Sequence, residues 1–68
     1  MKKEELLALG FKDTTYTDFE KFTLDVNEFS QIETYRDSVV DICVFDHWVN
    51  VPNCKTIEDM KNLIKLFS

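Results

Sequence analysis

Hydrophobic and polar positions alternate most clearly between Ser38 and Pro52, where SVVDICVFDHWVNVP holds the chain's densest set of β-branched and aromatic residues. Val39, Val40, Ile42, Val44 and Phe45 suit a pleated strand, and Val49 and Val51 resume the period of two after Asp46-His47. Asp and His tolerate positive φ better than most side chains, so Asp46-His47 is the predicted two-residue hairpin loop. That loop would pair Phe45 with Trp48, Val44 with Val49 and Ile42 with Val51. Facing pairs share a side of the sheet. The inner face then collects Val40, Ile42, Val44, Val49 and Val51, and the outer face Val39, Asp41, Cys43, Phe45, Trp48, Asn50 and Pro52. A one-residue slip would bury Asp41, so the pattern resists it.

Upstream, Phe22, Leu24 and Val26 alternate with Lys21, Thr23 and Asp25, predicting a strand over Phe19 to Val26. Asn27-Glu28-Phe29 reads as a three-residue loop and Ser30 to Tyr35 as the returning strand. Leu24 then faces Ile32 and Phe22 faces Thr34. If Arg36-Asp37-Ser38 is also a three-residue loop, Thr34 faces Val40 and Ile32 faces Ile42. Three strand pairs then agree on one inner face. Met1 to Leu9 reads as a short helix that ends on Gly10, the chain's only glycine, with Phe11 folding back onto Leu6. Lys12 to Asp18 is polar and turn-like. Ile57 to Phe67 carries the helical stripe Ile57, Met60, Leu63, Ile64 and Phe67 behind a Thr56 N-cap, and Asp59 completes an approximate capping box. The expected fold is α+β in two layers. A four-stranded antiparallel meander carries its N- and C-terminal helices on one face, in the order α-β-β-β-β-α; the alternatives are a swapped strand order, or three strands with Ser30–Tyr35 irregular.

Composition narrows this picture. Sixty-eight residues allow a single domain, 1–68, whose chain buries only ~60% of its unfolded surface. Six Phe, two Tyr and one Trp argue against disorder and for either a dense core or a core completed by a partner. The net charge of −5 disfavours nucleic-acid backbones as partners. No signal peptide and no stretch long enough to cross a membrane is evident, so a cytoplasmic protein with no membrane partner is expected. In a reducing compartment Cys43 and Cys54 are expected to be free thiols.

Candidate chemistry is sparse. Cys43, Cys54 and His47 do not follow zinc spacing. His47 lies in a predicted turn, and neither it nor Cys43 has a glycine-rich oxyanion or elbow motif beside it. Glu33 and Asp41 face each other on the outer side, where Lys21 or Arg36 would ease their repulsion. No catalytic, cofactor or metal site is therefore expected, and the protein is read as a non-enzyme. The outer face holds the more specific signal. Phe45 and Trp48 beside the turn, Phe29 one strand over, and the pair Tyr35 and Val39 at the far end form a candidate interaction surface rimmed by acids. The alternative is that a helix, or the connector bearing Tyr16 and Phe19, covers it.

The opening KKEELLALGF, the aromatic acidic strands and the closing KTIEDMKNLIKLF resemble the small uncharacterised proteins common in bacteriophages and prophages. The resemblance implies an accessory or inhibitor protein that binds a host protein, and it brings no functional residues. Three readings follow: an interaction module that binds a protein partner or a second copy, an acidic nucleic-acid mimic occupying a basic cleft, and a structural homodimer with no further activity.

Overall fold

The computed structural model describes residues 1–16, 19–35 and 39–68. A short helix α1 (Lys3–Ala8) leads into strands β1 (Lys12–Asp13), β2 (Lys21–Asn27), β3 (Ser30–Tyr35), β4 (Val40–Val44) and β5 (His47–Asn50), and the chain closes with helix α2 (Ile57–Phe67). The strands form one antiparallel sheet in the order β1-β2-β3-β4-β5. The meander and both helices are as the hydrophobic pattern predicts, with one strand more. The extra strand, β1, lies in the polar stretch read as turn: Lys12 pairs with Thr23 and Asp13 with Phe22. Two polar residues have no alternation to display, and pairing with β2 alone makes them a strand.

Each helix end has a local cause. Gly10 adopts φ +103, and its N–H donates to the Leu7 carbonyl at 3.0 Å while Phe11 N–H reaches back to Leu6 at 3.1 Å. This double bond is a Schellman stop, and it drops Phe11 into the core beside Leu6. At α2, Thr56 Oγ1 accepts from Asp59 N–H, and Asp59 Oδ2 accepts from the N–H groups of Lys55 and Thr56, all at 3.1 Å. These bonds hold the Asp59 carboxyl below the usual carboxylate range.

The core lies between the sheet's inner face and the two helices. Phe22, Ile32, Val40 and Ile42 come from the sheet, Leu6 and Phe11 from the α1 corner, and Met60 and Leu63 from α2. Cys54, expected to lie in a connector, is also buried there, and burial pushes its thiol pKa up. Both cysteines are free.

The central ladder follows the predicted register: Phe22 opposite Thr34, Leu24 opposite Ile32, Thr34 opposite Val40, and Ile32 opposite Ile42. The Arg36-Asp37-Ser38 loop lies outside the described residues, although Tyr35 N–H and the Val39 carbonyl meet across it at 3.0 Å. The β2–β3 connection differs from the three-residue loop expected. Asn27 rather than Val26 faces Ser30, and the register shifts between Asp25 and Asn27, making Val26 a bulge residue. A two-residue turn plus one bulged residue spans the same offset as a three-residue loop, so the inner face survives.

The β4–β5 hairpin turns one residue earlier than expected. Phe45 and Asp46, at φ +50 and +67, occupy the turn in place of Asp46-His47. Val44 therefore faces His47, Cys43 faces Trp48 and Ile42 faces Val49. The gain is at Asn50, which comes opposite Asp41 and donates its Nδ2–H to Asp41 Oδ1 at 3.1 Å and to the Val40 carbonyl at 3.3 Å. In the expected register Pro52, which has no donor, would stand there. The pairing moves by two positions, so every side chain keeps its predicted face. Val49, expected in the core, is nonetheless 57% exposed, because β5 overhangs the edge of the helical layer.

Candidate interaction surface

Phe29 and Phe45 meet because the β3–β4 ladder continues one step past the strand ends. Phe45 N–H donates to the Phe29 carbonyl at 3.0 Å, and residues 29 and 45 both fall on the outer-face parity of their strands. Their rings stack with centroids 5.1 Å apart and planes 21° from parallel. Asn27 Oδ1 accepts from Phe29 N–H at 2.8 Å, and Asn27 Nδ2 donates to the Phe67 carbonyl at 2.7 Å. One side chain thus pins the loop that carries Phe29 to the end of α2. The fold leaves the rings open, with Phe29 58% and Phe45 65% exposed.

Beneath and around the stacked pair is a groove of about 750 Å³ lined by Asp25, Asn27, Glu28, Phe29, Ser30, Gln31, Cys43, Phe45 and Asp46. Three of these residues are acidic and none is basic. Gln31 Nε2 donates to Asp25 Oδ1 at 3.0 Å, which fixes one carboxylate in the wall.

Of the residues singled out from sequence, Phe29 and Phe45 are therefore brought together. Trp48 is one strand away, opposite Cys43 of the groove wall and 51% exposed, rather than paired with Phe45. Tyr35 and Val39 lie at the far end of the sheet, where Phe19 packs edge-on against Tyr35 at 5.4 Å. The N-terminal connector thus covers part of that end and leaves the Phe29–Phe45 end open. An acid rim was expected, but not that Asp25, Glu28 and Asp46 would form it. For Asp25 the signal was available, since it shares the outer parity with Gln31 and Cys43.

Midway along the outer face, Glu33 stands opposite Asp41 as expected. Lys21 Nζ lies 3.5 Å from Glu33, whose side chain is only 12% exposed, and Tyr35 Oη donates to Glu33 Oε2 at 2.6 Å. That hydrogen bond, with burial and the negative charge beside it, pushes the Tyr35 phenol up to about 12. The carboxylate pair is thus neutralised in part and held. His47 is exposed on β5, one rung from Cys43 in the ladder but on the opposite face of the sheet. Among the described residues no three His, Cys, Asp or Glu side chains gather as a metal site, and no helix is long and apolar enough to cross a membrane. Comparison with protein-family models, curated proteins and solved structures finds no match to this chain.

Proposed function

We propose that the protein is a small, acidic, non-enzymatic interaction module. Its Phe29–Phe45 groove takes an apolar segment bearing an Arg or Lys side chain from a different protein. The observation that carries this reading is Phe45 itself. A bulky residue at positive φ is an outlier, and the left-handed region costs a residue with a Cβ roughly 1–2 kcal/mol. A hairpin of this kind is normally closed by Asn, Asp or Gly. Here it is closed by a phenylalanine whose ring is mostly in water. Strain held at an exposed position is characteristic of sites kept for contact rather than for folding.

The occupant follows from charge. Asp25, Glu28 and Asp46 surround the two rings, and a cation above an aromatic face gains from both the ring and the acids. A second copy placed groove to groove would bring the same acids together, so a basic partner is favoured over self-association at this surface. Nucleic-acid mimicry is the weaker reading, because Asp25, Glu33 and Asp41 already have partners within the sheet. With the phage-like character of the sequence, the module fits an accessory or inhibitor protein that binds a host protein in the cytoplasm. The test is partner binding by the wild type and by Phe45→Asn across a salt series. Loss with Phe45→Asn and a shallow salt dependence support the groove, whereas a steep dependence indifferent to Phe45 would support mimicry by charge.

A further inference from the structure

The two edges of the sheet differ. β1 is two residues long and charged, with Lys3 Nζ 3.3 Å from Asp13, so it offers little to an incoming strand. β5 has no Lys, Arg, Asp, Glu or Pro between His47 and Asn50, and all four of its residues are exposed. Its backbone polarity can be worked out. Val51 N–H donates to the Val40 carbonyl at 2.8 Å, and antiparallel ladders alternate between bonded and non-bonded pairs. The amides of His47 and Val49 therefore point at β4. Those of Trp48 and Asn50 point outward, with no strand beyond them among the described residues.

We infer that β5 is a self-association edge: two copies join β5 to β5 antiparallel, with Val49 on the twofold axis, making one continuous sheet. This register meets three independent requirements. Trp48 falls opposite Asn50 of the second copy, so the outward N–H and C=O groups of both residues are used in the two symmetric pairs. Residues that face each other share a side of the sheet, as pairing demands. Val49 meets Val49 on the inner side, covering the one valine of the hairpin that the fold leaves mostly exposed. Charge selects the site. Two chains of net charge −5 repel wherever their acids approach, and this edge carries no formal charge. The edge is separate from the aromatic groove, and the inference does not rest on the groove's function.

Sedimentation of the wild type from low-micromolar to near-millimolar concentration, combined with amide hydrogen exchange at both ends of that range, tests the inference. The expected result is a shift from the mass of one chain to that of two. The Trp48 and Asn50 amides should gain protection as the mass rises, while those of His47 and Val49 are protected throughout. Val49→Lys, which places two ammonium groups at the axis, should weaken association by at least about tenfold. A single-chain mass at the highest concentration would overturn the inference. So would a dimer indifferent to Val49→Lys, or exchange at Trp48 and Asn50 that does not depend on concentration.

Discussion

Replacing Phe45 with Asn should separate what the turn needs from what the surface needs. Phe45 sits at φ +50 as the first central residue of a two-residue hairpin turn, a position where Asn is among the favoured residues. Relief of the left-handed strain should stabilise the variant by roughly 1–2 kcal/mol. Against this, the stack on Phe29 is lost, and aromatic pairs contribute about 0.5–1.5 kcal/mol beyond area burial. The two ranges leave a net effect in the wild-type background between about 0.5 kcal/mol of loss and about 1.5 kcal/mol of gain. In a Phe29→Ala background there is no stack to lose, and the full relief should appear. For a domain of this size each kcal/mol moves Tm by about 4–8 °C, so the difference between backgrounds is measurable by thermal unfolding. The double-mutant cycle gives the stacking energy directly. A Phe45→Asn substitution that destabilises the Phe29→Ala protein would refute the reasoning, because the turn would then not be strained at Phe45.

Three further outcomes are expected. Ile42→Ala should cost ~2–5 kcal/mol while Val49→Ala, at the overhanging edge, costs well under half as much; equal shifts in denaturant midpoint would mean the helical layer extends over β5. Gly10→Ala should destabilise by roughly 1–2 kcal/mol because of its φ alone, since an added Cβ would sit at an ordinary 3.5 Å from Leu24 Cδ1; Gly10→Asn should cost less, and a stabilised alanine variant would contradict the Schellman geometry. The Tyr35 phenol is raised in the folded state, so its contribution to stability is complete below about pH 10 and is lost as pH rises through about 12. Ultraviolet titration should find a tyrosine ionising near that value and absent in Tyr35→Phe; an unchanged titration curve in that variant would assign the group elsewhere.

What the sequence shows well is parity, and what it shows poorly is phase. The assignment of Val40, Ile42 and Val44 inward and Asp41 and Cys43 outward stands although the turn lies one residue earlier, because moving a two-residue loop by one shifts the pairing by two. The same arithmetic hid the true partner of Trp48. The turn's position is set by Asn50 reaching Asp41 and by Phe45 reaching Phe29, both contacts between residues that local propensity treats as unrelated. β1 was illegible because two polar residues carry no period. The ends of α1 and α2 were legible because Gly10, Thr56 and Asp59 act within a single turn of chain. The groove was half legible: Phe29 and Phe45 could be placed near one end, but their stacking and the acid walls depend on the register.

The most direct test of the proposed function is selection of a displayed library of random peptides against the wild-type protein, counter-screened against Phe45→Asn. The enriched peptides should carry Arg or Lys beside apolar residues. Their binding should shift the resonances of Phe29, Phe45 and the groove acids, and should be lost with Phe45→Asn even though that variant keeps its fold. Enriched peptides without basic residues, or peptides that bind Phe45→Asn as tightly as the wild type, would contradict that function.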